Sequence, residues 1–350
     1  MRRGYAPVKR GAGLVVAAAI LVMLAGAAFV LRPFLFPETL VLGIVTSDDT
    51  TSHRILAVRT GVDLALSDRN GRAGKFRVKA ELEPSSTDLS ASAILVDAGA
   101  PWWMLDALGE GGPPLVSATS TRPNWNANAG VTLPHRRVLP SHTRISVAAA
   151  DWLRRLGAKR VFLLEEIFDE RSGVIGKAFR EAANGPGLAF AGQVRFSEPF
   201  DSLPDEVVEA APDAVFYAGT GVGKSREIIA ALRKRGYRGE IVLADVEPGE
   251  TFLDLSISEW EGCRLVSLVT PPPSAFLARH GAQRPGVWLG YQAATAALDA
   301  LERAESKDPR ALHRALASLG IFDANGDPLS PVLTGYTHRT GLWQSTESLK

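Results

Sequence analysis

Short apolar runs alternate along most of this chain with stretches whose apolar positions recur every three or four residues. Leu40–Val45 (LVLGIV) is an unbroken apolar run, the pattern of a strand buried on both faces. His53–Asp68 then places Ile55, Val58 and Val62 on one helical side and is stopped at Asn70-Gly71. The same alternation predicts strands at 76–82, 93–96 and 114–117, with a helix near 102–108. Further along, helices are predicted at 145–156, 173–183 and 225–235. They alternate with strands at 160–164, 188–196, 214–217 and 240–244. A long apolar-rich helix is expected at 287–304 and a second one, capped by Asp308, to about Leu319. A dense turn signal at 323–328 precedes a last strand at 332–338. Strand–helix alternation of this kind predicts an α/β protein with doubly wound, mostly parallel sheets flanked by helices.

The N-terminus breaks the pattern. Arg2, Arg3, Lys9 and Arg10 precede a segment from Gly11 to Leu31 that carries no charge and is almost wholly apolar. About 20 such residues suffice to cross a bilayer as a helix, and basic residues before them hold the N-terminus in the cytoplasm. The segment reads as an uncleaved membrane anchor or as a secretory signal cut after Ala25-Gly26-Ala27. Both place the chain after Pro37 on the periplasmic side, in the periplasm or at the outer face of the inner membrane, with any membrane contact through residues 11–31.

Composition narrows the function further. The 350 residues are 46% hydrophobic and 22% charged, with a net charge of +1, so nothing points to a nucleic-acid partner. The single cysteine, Cys263, excludes an intrachain disulfide and is expected in the core. The six histidines are scattered without metal-binding spacing, so no metal or other cofactor is expected. No nucleophile elbow is present, and the chain is expected not to be an enzyme. Ala218–Ser225 (AGTGVGKS) comes near the phosphate-binding loop GxxxxGK[ST] between a strand and a helix, which leaves a nucleotide-binding protein as an alternative. Its first glycine is replaced by Ala218. Glu165-Glu166 with Asp169-Glu170 could pair carboxylates for acid–base chemistry but is expected to be a solvated loop at a strand end, and Arg136-Arg137 to be helix-end or surface charges.

Four segments, in order, carry a resemblance: PLVSATSTRP (114–123), GAKRVFLLEE (157–166), PDAVFYAG (212–219) with GYRGEIVLAD (236–245), and FDANGDPLSPV (322–332). Together they resemble the type I periplasmic solute-binding proteins, especially the leucine-binding-protein-like branched-chain amino-acid and amide receptors of ABC importers. The resemblance spans about Leu40 to Trp343. It implies two lobes joined by three crossovers that close over a ligand. Lobe I would comprise 38–139 and 268–325, and lobe II 140–267 and 326–350, after an N-terminal signal or anchor at 1–37.

The resemblance also implies a small polar ligand and, as partner, an ABC permease in the inner membrane. Thr119, Ser120 and Thr121 match the family's Ser/Thr loop on lobe I. Ala100 lies in its small-residue loop, with Trp102 following. Ser172 stands near the family's lobe II tyrosine, and Thr220 where another aromatic is common. Asp245 matches the acid that often meets the ligand's ammonium. The alternative on the same fold is a membrane-tethered sensor or assembly subunit with a degenerate cleft.

Overall fold

A computed structural model describes residues 20–27, 37–46, 52–84, 89, 92–99, 108, 111–122, 135–167, 169–197, 203–219, 221–245, 257–329 and 331–349. Most of the N-terminal apolar segment and the helix expected at 102–108 lie outside them. Among the described residues no helix is long and apolar enough to cross a membrane.

Lobe I is built on a six-stranded sheet. Its strands are β1 (Thr39–Thr46), β2 (Arg72–Ala73), β3 (Phe76–Pro84), β4 (Ile94–Asp97), β5 (Leu115–Ser117) and β6 (Arg136–Arg137), in the order β2-β3-β1-β4-β5-β6. All neighbours are parallel except the short β2–β3 pair. Leu42 pairs with Ile94 and Leu95 with Leu115, and all four are fully buried, which is why these strands read as continuous apolar runs.

Helix α1 (His53–Asp68) begins at Ser52, whose hydroxyl accepts the Ile55 amide at 3.5 Å. It packs along a long helix of residues Pro285–Ala304. The two approach at glycines: a Cβ on Gly61 would overlap the Val287 carbonyl oxygen, and one on Gly290 the Val58 carbonyl oxygen. Backbone-to-backbone contact of this kind has no side chain that can yield.

Lobe II alternates in chain order as α2 (Thr143–Arg155), β7 (Arg160–Glu166), α3 (Glu170–Ala183), β8 (Ala189–Phe196), α4 (Leu203–Ala210), β9 (Ala214–Tyr217), α5 (Val222–Lys234), β10 (Glu240–Asp245) and β11 (Arg264–Ser267). The chain then returns to lobe I with α6 (Ser274–His280), α7 (Pro285–Ala304, the long helix) and α8 (Pro309–Ala317). It ends in lobe II as the hairpin β12 (Leu333–Arg339) and β13 (Leu342–Leu349). The second sheet has the order β13-β12-β11-β10-β9-β7-β8, parallel from β8 to β11 and antiparallel across the hairpin. Gly335 on β12 leaves room for the fully buried Trp152 ring of α2, and the Arg264 guanidinium lies 5.3 Å from the centroid of that ring.

The chain passes between the sheets at 138–142, 268–273 and 318–332. Arg136 and Arg137 are not surface charges: both are buried on β6. Arg137 binds Asp327 at 2.6 Å and donates to the Arg122 carbonyl, while its amide donates to Gly326 at 3.1 Å. One side chain thus ties the end of β6, where the first connection begins, to the third connection. Cys263 is fully buried, and burial pushes its thiol up to about 12.

Candidate functional site

Ligands of open α/β sheets sit beyond the carboxyl ends of the strands, at the point where strand order reverses. In the first sheet the order diverges between β1 and β4, and in the second between β7 and β9. The candidate site is therefore framed by Thr46 and Asp97 on lobe I and by Glu166 and Tyr217 on lobe II.

On lobe I, Asp97 closes the buried strand β4. Its Oδ1 accepts the Gly99 amide at 2.6 Å. Its Oδ2 accepts the hydroxyls of Ser117 and, at 3.2 Å, of Thr119. Ser117 in turn accepts the amides of Thr119 at 3.2 Å and Ser120 at 2.8 Å. The predicted Ser/Thr loop is thus folded onto Asp97, with the Thr119 hydroxyl turned inward. Ser120 is half-buried, and Thr121 is buried with its hydroxyl 3.4 Å from His142 Nδ1. Burial, and then the Arg137 charge, pushes His142 down to about 4.

Gly99 has φ +123°, a region open to glycine, and the Arg54 guanidinium of α1 lies against it. A Cβ there would fall 2.8 Å from Arg54 Nη2. Thr46, at the end of β1, is fully buried, and its hydroxyl has no hydrogen-bond partner among the described residues.

Lobe II repeats the Asp–Ser device. Asp245 closes β10 in register with Ser267 on β11, as Asp97 is in register with Ser117. Ser267 donates to Asp245 Oδ2 at 2.6 Å and accepts the Val269 amide at 3.1 Å. Asp245 is buried.

The acids at the end of β7 are buried, not solvated as the sequence suggested. Glu165 faces α3 and pairs with Arg180 at 2.9 Å. Gly176 of α3 admits its carboxylate, which a Cβ there would overlap. Glu166 turns the other way. It accepts the Tyr217 hydroxyl and the Gly221 amide (3.3 Å) and pairs with Lys224 at 3.1 Å. Burial, and then the Glu166 charge, raises the Tyr217 pKa and keeps the phenol protonated.

The segment that resembled a phosphate loop therefore wraps a carboxylate of its own chain. Its lysine is neutralised by Glu166, and the Ser225 hydroxyl donates to the Val222 carbonyl at 2.7 Å instead of facing a metal. An anionic phosphate entering here would meet Glu166, so the geometry argues against the nucleotide alternative.

Ser172 is fully buried, and its hydroxyl accepts the Glu166 amide at 2.7 Å, which makes it a support for the strand end. Ala100, Trp102 and Thr220 lie outside the described residues. Beside the start of α2 and α3, a groove of about 560 Å³ is lined by charges of both signs, among them Asp169, Glu170, Lys177 and Arg195. Among the described residues no His, Cys, Asp and Glu cluster is arranged to hold a metal. Asp97 and Arg54 are site groups that the sequence pattern did not single out, and Glu166 is one it placed in a solvated loop. Asp97 carried a visible signal, since ILVD at 94–97 ends an apolar run in aspartate as IVLAD does at 241–245.

No protein-family model matches the sequence, and no curated protein does. Solved structures do match. A substrate-binding protein of an ABC transporter from Desulfitobacterium hafniense, in complex with Leu, aligns over 88% of this chain and 100% of its own, with a TM-score of 0.72 and 17% identity. A putative branched-chain amino-acid ABC transporter protein from Silicibacter pomeroyi aligns over 89% and 96%, with a TM-score of 0.74 and 11% identity. A branched-chain amino-acid transporter substrate-binding protein from Streptococcus pneumoniae, in complex with isoleucine, aligns over 89% and 99%, with a TM-score of 0.69 and 15% identity. The two sheets, their connections and these alignments establish that the chain has the two-lobed type I periplasmic binding protein fold.

Proposed function

We propose that the chain is an extracytoplasmic receptor that holds a small polar solute of the amino-acid or amide class between its lobes and passes it to the permease of an ABC-type importer. The observation that carries this is that charged groups of both signs gather at the two strand-end rims, Arg54 and Asp97 on lobe I, and Asp245 with the Lys224-paired Glu166 on lobe II. Arg54 lies at the end of β4 on lobe I, and Glu166 and Asp245 lie at strand ends of lobe II. A zwitterion placed between them would set its carboxylate toward Arg54, with Ser120 and Thr121, and its ammonium toward Asp245, with Thr220. Closure would desolvate both ends together and strengthen both attractions. Leucine and isoleucine in the matched structures agree with this class. The apolar segment at 11–31 would deliver the lobes to the periplasm, as a cleaved signal or as an anchor.

A second function on the same fold, a tethered sensor or assembly subunit with a closed-off cleft, is favoured by one observation. The hydroxyls of Thr119, Ser172 and Tyr217 are already spent on internal partners. Asp245→Asn separates the two, because it removes the charge and can keep a hydrogen bond to Ser267. In calorimetric titration against amino acids and amides, the receptor loses roughly 100-fold in affinity, the scale of a buried charge-assisted contact. A ligand bound equally well by both proteins would remove Asp245 from the site.

A further inference from the structure

The outer edge of lobe I, at the opposite end of β5 from the cleft, gathers cationic and donor groups, and among the described residues no carboxylate forms an ion pair with Arg136. Arg136 on β6 is 4% exposed, and its Nε and Nη1 have no hydrogen-bond partner among the described residues. Its guanidinium lies 6.0 Å from the centroid of the Phe322 ring. His135, the preceding residue, is fully buried, and its Nδ1 accepts the Leu115 amide at 3.3 Å. The neutral ring therefore carries its proton on Nε2 and is a donor there. His313 of α8 is buried against it, with ring centroids 5.6 Å apart.

An isolated buried guanidinium is costly unless an anion compensates it. The acid whose field reaches Arg136 is Asp323, and its carboxylate already accepts the amides of Asn325 and Asp327 at 2.8 and 2.9 Å. The adjoining residues 123–134 contain no aspartate or glutamate.

We propose that Arg136, with His135 and His313, forms an anion-binding site at the edge of lobe I that takes a small, singly charged anion of halide or carboxylate type. Burial, followed for His135 by the His313 and Arg136 charges, pushes that ring down to about 3. Burial and Arg136 push His313 down to about 4, with the Gly112 backbone acting the other way. Both rings are neutral at neutral pH, so among these three groups Arg136 carries the positive charge, which suits a singly charged anion. The site lies at the opposite end of β5 from the strand ends that frame the cleft.

The test follows the thermal midpoint of the full-length protein against chloride, bromide and acetate, with ionic strength held constant by a bulky organic anion. The wild type gains a saturable rise in midpoint with at least one of the three, and Arg136→Met, which removes the buried charge at similar volume, loses that response. Should Arg136→Met fail to fold, chloride-35 NMR on the wild type decides: excess line broadening reversed by bromide or acetate supports the site. A wild type that neither broadens the chloride line nor responds saturably overturns it. So does a folded Arg136→Met protein with the wild-type response.

Discussion

Lobe I and lobe II end their central strands with the same pair, Asp97 beside Ser117 and Asp245 beside Ser267, yet they balance charge differently around it. In lobe II the buried acids Glu165 and Glu166 each hold a basic partner, Arg180 and Lys224. In lobe I the buried acids Asp97 and Glu83 each accept a serine hydroxyl, from Ser117 and Ser92, and the buried basic groups include Arg136, His135 and His313. The repeated Asp–Ser pair is therefore a strand-end fastener, in which serine both donates to the acid and accepts the next loop's amide. Any ligand specificity resides in what surrounds it.

Acid should separate the lobes most. The histidines at 135, 142 and 313 have folded pKa values of about 3, 4 and 4 against 6.5 unfolded. Because the folded values are depressed, their stabilisation is full above about pH 6.5 and is lost progressively as pH falls toward 4. At 1.36 kcal/mol per unit the loss is of order a few kcal/mol for each group. His142 is also faced by Arg137, Arg171, Arg122 and Asp169, of which only the last opposes the shift. Hydrogen exchange at pH 5 should show β6 and α8 losing protection before β10. His313→Gln should flatten the stability curve between pH 6.5 and 4. Uniform loss across both sheets would break the comparison.

The helix glycines give the next contrast. Gly290→Ala drives a methyl into backbone of α1 and should cost about 3 kcal/mol, the upper range for overpacking. Gly176→Ala meets the Glu165 side chain, from Oε1 to Cγ, instead of backbone, and a side chain can shift where backbone cannot. It should cost about 1 kcal/mol or less, offset by the better helix propensity of alanine. Denaturant midpoints of the two variants rank them, and equal losses would mean that the Glu165 carboxylate is as fixed as backbone.

The smallest effect concerns the bridge between lobes. Arg122 and Glu170 pair at 3.0 Å across the cleft mouth with side chains 45% and 78% exposed. A double-mutant cycle should give no more than about 1 kcal/mol, vanishing in high salt. A larger coupling would make this pair a latch on lobe closure.

Much of the fold was legible because its strands are buried on both faces. Runs such as 214–217 and 240–244 read as strands with no knowledge of partners. Strand β13 did not, since its burial pattern is mostly exposed and it pairs only with β12 at the sheet edge. Strand β6 was hidden for a different reason. Two consecutive arginines look like surface, and their burial depends on Asp327, 190 residues away, and on Phe322. Glu165 and Glu166 misled in the same way, because Arg180 and Lys224 become partners only after α3 and α5 fold back on β7. Periodicity reports burial of apolar faces. It is silent on buried ion pairs, whose members are far apart in sequence.

The receptor account is tested most directly by a thermal-shift panel on the full-length protein with amino acids, amides, short-chain acids and ATP. A ligand that binds only the folded state raises the midpoint, by about 2.7 kcal/mol of stabilisation at a hundred times Kd. The account predicts a saturable rise with an amino acid or amide and none with ATP. No rise with any of them, or a rise with ATP alone, would contradict it.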